Sequence, residues 1–294
     1  MSTSTAISFF VLVWLVYFGS RSLSLSHSYT LFIHSTNSTG EQLASSAAPN
    51  SASVARVVPI SFAFGMSILC QAYSFGHISG GHFNPAVTLC LFLLGECDVV
   101  QTICYIVAQL VGATFGSLLL WASVFHMNEG RKASIEQIIG DPPFALGANG
   151  LNPALEDGNG FLLEFMGTMV LCMTVCMTAV HPKSLSKGTP HMAPLAIGFA
   201  VFLAHLVLVP LTGCGINPAR TFGPALVNSF AGSNVWDDSY WIYFIGPFAA
   251  SVVAAVIYKF LFADDDDEEA TVEAPVDKEP AKKVEVAAGG EDSA

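Results

Sequence analysis

The chain has 294 residues, of which 52% are hydrophobic and only 12% charged, with a formal net charge of −12. Apolar windows long enough to cross about 30 Å of hydrocarbon recur along it, which excludes a soluble globular fold and defines a polytopic α-helical membrane protein. The acidic balance, concentrated from Asp264 to Glu269 and beyond, excludes nucleic acid as a partner.

In chain order, the first apolar window is 5–19. Its core from Ala6 to Phe18 is short for a span and resembles a secretory leader, but no basic residues precede it, and a retained helix preserves a two-half symmetry further along. Residues 1–19 are therefore read as the N-terminus and first span. Loop 20–55 follows, long and polar, with the sequon Asn37-Ser38-Thr39 as a candidate N-glycosylation site that would place the loop outside the cytosol. Lys and Arg counts leave the orientation open: Arg21, Arg56, Arg131 and Lys132 border one face, Lys183, Lys187 and Lys259 the other.

Residues 56–125 complete a first repeat, with spans at 56–75 and 99–125 and, between them, the glycine-bearing stretch Gly76 to Phe83 and a short apolar segment at 84–94 opened by Asn84-Pro85-Ala86. Loop 126–160 is rich in Gly, Pro and Asn and is expected on the surface. The second repeat, 161–262, holds spans at 161–180, 191–209 and 240–262, a hinge at Ser186 to Pro190, and a short segment at 217–227 opened by Asn217-Pro218-Ala219 after Leu211 to Ile216. The fold class is thus all-α membrane protein: six transmembrane helices plus two re-entrant half-helices in an inverted repeat. The tail 263–294 lacks apolar surface and is expected to be disordered and cytosolic, as are both termini.

Irregular backbone at membrane depth persists only where protein buries it or a water-filled cavity solvates it. Both glycine-bearing stretches are therefore expected to line a cavity, running extended with their carbonyls along a path. Each proline sits where a half-helix begins and its missing N–H costs no ladder bond. Each asparagine caps its half-helix through its side-chain oxygen, leaving its NH₂ to donate. Two half-helices meeting N-terminus to N-terminus oppose cations at the midplane. A third triplet, Asn152-Pro153-Ala154, has no apolar half-helix after it and reads as a loop turn. Arg220 has no cheap place at membrane depth, at roughly 3 kcal/mol on insertion scales, unless a polar cavity or an ion pair with Glu164 receives it. The seven cysteines lie in or beside apolar segments, which argues against a disulfide framework; Cys172 and Cys176, one turn apart, read as packing residues. No metal-ligand spacing and no nucleophile–base pair is present, so neither a metal, a cofactor nor an enzyme is implied.

The stretches Gly76-His77-Ile78-Ser79-Gly80-Gly81-His82-Phe83-Asn84-Pro85-Ala86-Val87-Thr88 and Gly213-Cys214-Gly215-Ile216-Asn217-Pro218-Ala219-Arg220 resemble the aquaporin (major intrinsic protein) family, with further echoes at Ala108 to Ala113 and Glu164 to Thr168. The resemblance covers about residues 5–262. It implies a selectivity filter of Phe64, His205, Cys214 and Arg220, with Arg220 and His205 donating hydrogen bonds to the permeant and Cys214 open to mercurial block. It also implies a carbonyl ladder from Gly80, Gly81, His82 and Phe83 and from Gly213, Cys214, Gly215 and Ile216, and a bracing carboxylate, Glu164. The mirror glutamate of the first span is absent, with Ala6 near its place. His205, Thr221, Ala225 and Tyr243 match the water-selective branch rather than the glycerol facilitators, although Phe244 stands where the family often has tryptophan. The resemblance thus implies passive, osmotically driven, single-file water movement across a bilayer, with hydrogen peroxide left as a second permeant. It further implies a homotetramer, with the plasma membrane as the leading location. The alternatives carried are a glycerol facilitator and a structural or adhesive protein on the same scaffold, the latter suggested by the long loop 20–55.

Overall fold

The computed structural model describes residues 51–125, 146–186, 191–230 and 234–263. The expected first span 5–19 with Ala6, the sequon Asn37 in loop 20–55, and the tail beyond 263 lie outside the described residues.

The described elements are helices α1 (Ser51–Ser79), α2 (Pro85–Leu94), α3 (Val99–Phe125), α4 (Asp157–Val175), α5 (Pro182–Ser186), α6 (Ala193–Thr212), α7 (Pro218–Phe230) and α8 (Ile242–Leu261), with a π-helical turn, Cys176–Val180, continuing α4. Among the described residues five helices are long and apolar enough to cross a membrane. The two short segments opened by the triplets are the half-helices α2 and α7. Several bounds differ from expectation. Helix α1 continues past 75 to Ser79 and α6 past 209 to Thr212, because in hydrocarbon the backbone keeps its internal bonds until a residue can leave the helix cheaply. That residue is a left-handed glycine in both cases: Gly80 (φ 74°), whose N–H reaches Gly76 O at 2.8 Å, and Gly213 (φ 73°), whose N–H reaches Val209 O at 3.2 Å. The stretches that follow, expected to run extended, instead each pass repeatedly through left-handed backbone.

Packing follows a two-fold pattern. The pair α1 and α6, the spans that precede the two half-helices, forms the most extensive interface; α2 packs on α8, and α7 packs on α3, each half-helix against a span of the opposite repeat. Close approach of α1 and α6 depends on two facing glycines. A Cβ on Gly65 would stand 2.7 Å from Gly198 O, and one on Gly198 would stand 2.9 Å from Gly65 O and 2.7 Å from Leu69 Cβ. Small residues at a helix crossing take the role that apolar burial has in water, since lipid is as apolar as the side chains. The polarity is accordingly inverted: Ile103, Val107, Val111 and Phe115 form an exposed stripe along α3, and Phe199, Leu203 and Val207 one along α6, while Gln109, Glu164, Asn217 and Arg220 are buried.

The interface makes a clean prediction. Gly198→Ala should lower the stability of the detergent-solubilised protein by about 1–3 kcal/mol, the usual cost of overpacking. Gly76→Ala, where nothing lies within 4 Å of the added carbon, should be neutral or slightly stabilising; thermal unfolding of the two variants side by side checks this.

Candidate functional site

The loops between α1 and α2 and between α6 and α7 are built alike. Positive φ recurs at Gly80, Gly81 and Phe83 in the first and at the matching Gly213, Cys214 and Ile216 in the second. For Ile216 (φ 45°) a β-branched side chain makes this a true outlier, a conformation that costs on the order of 1–3 kcal/mol and survives only when its surroundings over-determine it. They do so here. The Ile216 N–H donates to Glu164 Oε2 at 2.6 Å, and its carbonyl accepts from Asn84 Nδ2 at 2.8 Å.

Each asparagine works at both ends. Asn84 Oδ1 accepts from Ala86 N at 2.8 Å, and Asn217 Oδ1 accepts from Ala219 N at 3.0 Å and Arg220 N at 3.2 Å, capping α2 and α7. Their amide nitrogens cross to the opposite loop: Asn84 Nδ2 to Ile216 O, and Asn217 Nδ2 to Phe83 O at 3.0 Å. The NH₂ groups are therefore not wholly free, as the sequence suggested; one N–H of each clasps the other loop, and the second remains.

Glu164, fully buried on α4, collects three donors: Thr212 Oγ1 at 2.6 Å, Gly215 N at 2.9 Å and Ile216 N. Gly215 has no room for a side chain, since its Cβ would stand 2.8 Å from Glu164 Oε2 and 2.9 Å from Tyr243 Cδ1. Tyrosines mark the symmetry outside the loops: Tyr105 Oη donates to Ser79 O at 2.9 Å and Tyr243 Oη to Thr212 O at 2.8 Å, the last helical carbonyls of α1 and α6. In the first loop the hub is instead Thr88. Its hydroxyl donates to Asn84 O at 2.9 Å and accepts from Gln109 Nε2 at 3.0 Å, so its 3.3 Å contact with His82 Nδ1 makes that nitrogen the donor.

Where the clasp lies, a cavity of about 40 Å³ opens, bordered by Phe64, His82, Asn84, His205, Gly215, Ile216, Asn217 and Arg220 and by apolar residues including Val87, Leu171, Val175 and Val201. A water needs roughly 10–15 Å³ of such volume, so the space suits a few waters in file. A second cavity of about 300 Å³, bordered by Ser79, Gly80, Glu96 and Gln101, shares Gly81, His82, Val87, Val175 and Ile197 with it. His205 and Phe64 stack at 4.3 Å, and the Arg220 guanidinium lies 5.0 Å from the Phe64 ring centre.

Arg220 donates from Nη1 to Gly147 O at 2.7 Å and Asn149 Oδ1 at 3.0 Å, and from Nη2 to Gly213 O at 3.4 Å. Glu164 is occupied by hydroxyl and amide donors, so the alternative of an Arg220–Glu164 ion pair is not what holds the arginine. Arg220 Nε is buried without a protein partner, and so is His205 Nε2. His205 Nδ1 stands 2.8 Å from Val201 O; a carbonyl only accepts, so Nδ1 carries the proton and Nε2 of the neutral ring is an acceptor. The expectation that His205 donates into the cavity is thereby reversed: Arg220 offers a donor and His205 an acceptor.

Phe64, His205 and Arg220 thus come together at one cavity, while Cys214 and Phe83 are buried and are not among the residues bordering either cavity, and neither is the half-buried Gly213. The sequence reading missed Asn149. Its side chain accepts from Arg220 and, at 2.9 Å, from Thr221 Oγ1, yet it sits in a Gly/Asn-rich stretch that was expected on the surface. The end of that loop instead folds inward, with Leu146 and Asn149 buried. Gly150 N and Asn152 N donate to Thr212 O and Leu211 O, carbonyls that the end of α6 leaves unsatisfied. The third triplet is a turn, with Ala154 N donating to Asn152 Oδ1 at 3.0 Å.

The fold and the joined half-helices define a membrane channel protein with two re-entrant segments. The sequence matches the family Major intrinsic protein over residues 8–258, and the chain belongs to that family. Among curated relatives, Aquaporin-1 of Sus scrofa is 40% identical over 206 residues, covering 70% of this chain and 68% of the relative. Aquaporin PIP2-5 of Zea mays is 39% identical over 209 residues, covering 70% and 67%. A solved structure, the aquaglyceroporin from Plasmodium falciparum, superposes with a TM-score of 0.69 over 90% of this chain and 98% of its own at 19% identity, a likeness that speaks for the fold alone. The chain is accordingly a multi-pass membrane channel of aquaporin type.

The brace on the second loop can be tested by exchanging one oxygen of Glu164 for an amide. Glu164→Gln sets a donor against the buried donors of Gly215, Ile216 or Thr212, and should lower stability by about 1–3 kcal/mol. Asp238→Asn, at an exposed position before α8, should leave thermal unfolding unchanged.

Proposed function

We propose that the channel is selective for water, moved passively in single file down an osmotic gradient. The observation that carries this reading is the pairing at the cavity of a donor, Arg220 Nε, with an acceptor, His205 Nε2, both without protein partners, beside the stacked Phe64 ring. A permeant passing them must be small and must both donate and accept, as water does. The remaining N–H groups of Asn84 and Asn217 lie further along the same cavity and favour waters that present their oxygen to both asparagines, which breaks the chain of bonds a relayed proton would follow. The N-termini of α2 and α7 point their positive dipole ends at that place and oppose cations.

Against a glycerol facilitator stand His205 in place of a smaller residue and Thr221 after Arg220, together with the small volume of the cavity. Homotetrameric assembly, cytosolic termini and a plasma-membrane location belong to the same proposal; crosslinking of the solubilised protein to a four-subunit species tests the first of these. The role of Phe64, His205, Cys214 and Arg220 as a filter is likewise part of the proposal.

Stopped-flow light scattering on proteoliposomes checks the substrate. Wild type should show osmotic water flux well above empty vesicles with glycerol flux at background, and His205→Gly, which removes the ring stacked on Phe64, should raise glycerol flux at least severalfold. Glycerol flux in the wild type comparable to that of the variant would overturn the selectivity.

A further inference from the structure

Three of the cysteines, two of which, Cys172 and Cys176, read from sequence as packing residues, lie close together behind the cavity. Cys90 on α2 and Cys176, where α4 passes into the π-helical turn, have their sulfurs 3.7 Å apart, and both side chains are buried. Cys172, one turn earlier on α4, is buried as well. All are free thiols.

Their neighbours in sequence are the walls of the cavities. Val87 on α2 and Val175 on α4 border both cavities, Leu171 borders the smaller one and Leu91 the larger. The thiol pair therefore sits one side-chain layer behind the place where the two cavities join, on two of the elements that border it, with Gly81, His82 and Ile197 on the others. The helix is also irregular at this point: the Cys176 carbonyl accepts from His181 N, five residues on, at 2.9 Å, and single π-turns of this kind concentrate at functional positions.

We propose that Cys90 and Cys176 form a reversible redox switch that narrows the channel when oxidised by a hydroperoxide. This rests on the channel reading above. In the first step one thiol attacks the peroxide O–O bond: its sulfur gains the terminal oxygen as a sulfenic acid, and the other fragment leaves as water, or as an alcohol from an organic peroxide. In the second step the other sulfur attacks the sulfenic sulfur, water leaves, and a disulfide forms. Overall the two thiols lose two protons and two electrons, and one hydroperoxide is reduced to two molecules of water, or to one alcohol and one water if it is organic. Closing the sulfurs from 3.7 Å to the roughly 2.05 Å of a disulfide draws α2 toward α4, and carries Val87 and Leu91 toward Leu171 and Val175. A reducing cytosol keeps the pair as thiols, and intracellular disulfides that do form are characteristically transient and redox-sensing. Because the thiols are buried, the oxidant has to be small, and the adjoining cavities bring water-sized molecules within one residue layer of them.

The test uses the full-length protein in proteoliposomes, treated with hydrogen peroxide and then with dithiothreitol, with peptide mapping by mass spectrometry and osmotic flux read on the same samples. Wild type should yield a Cys90–Cys176 disulfide and lose at least two-thirds of its flux, with recovery on reduction. Cys90→Ser and Cys176→Ser should each hold their flux through the treatment, as should Cys90→Ala if serine is poorly accommodated, whereas Cys172→Ser should behave as wild type. A channel with normal basal flux and no crosslink overturns the switch and leaves the channel reading standing. So does a crosslink with unchanged flux, a crosslink to Cys172 instead, or flux loss that persists in Cys90→Ser. A crosslink in a correctly inserted protein with no basal flux overturns the channel reading and the switch with it.

Discussion

The structure depends on the reciprocal clasp between the two re-entrant loops. Asn84 donates to the Ile216 carbonyl and Asn217 to the Phe83 carbonyl, while the oxygen of each amide caps its own half-helix. Two chain segments more than a hundred residues apart are thus tied by two bonds at the point where each leaves regular structure. Breaking either would leave a buried donor or acceptor unmet, at about 1–3 kcal/mol each, and would release the half-helix start it caps. Everything around the clasp serves to make it reachable: the left-handed glycines that end α1 and α6, the strained φ of Phe83 and Ile216, and the bare Cα of Gly215 against Glu164 and Tyr243.

The two halves solve the same problem with different chemistry. In the second, a single carboxylate, Glu164, takes two loop amides and a hydroxyl. In the first, a threonine hydroxyl is saturated by Asn84, Gln109 and His82, and Ser251 reaches from α8 to the Ala86 carbonyl at 2.7 Å. The first half is therefore held through side chains of α3 and α8 and the second through α4. Each keeps a tyrosine, Tyr105 or Tyr243, on the carbonyl where its span ends. Both histidines of the cavity, His82 and His205, use Nδ1 on the protein, so the faces they leave are acceptors, set against the spare donors of Arg220 and the two asparagines.

Much of this was legible in the sequence, because its causes are local. Asn-Pro-Ala after a glycine-bearing stretch encodes a cap, a first helical residue without an N–H, and a flexible entry; those need no tertiary knowledge. Rejecting Asn152-Pro153-Ala154 also worked locally, since Glu156 and Asp157 cannot open a buried half-helix. What escaped was set by distant partners. Asn149 supports Arg220 only because loop residues 147–152 fold back onto the end of α6, which no periodicity announces. The donor or acceptor character of His205 depended on where Val201 O lies, one turn earlier, and the proximity of Cys90 to Cys176 on how α2 packs against α4. The ends of α1 and α6 were misjudged by a few residues because hydropathy fades before the backbone bonds do.

A site with opposed helix N-termini, two asparagine donors and an arginine held to carbonyl oxygens should pass water and refuse charge. Among the described residues the arginine is hydrogen-bonded to carbonyl and amide oxygens rather than to a carboxylate, and the half-helix dipoles add to its positive charge at the clasp. Osmotic water flux and proton flux, measured on the same proteoliposomes under an osmotic and then a pH gradient, test that account most directly. It predicts rapid shrinkage with a pH gradient that decays no faster than in protein-free vesicles. Proton flux rising in step with water flux, or no water flux from correctly inserted protein, would contradict it.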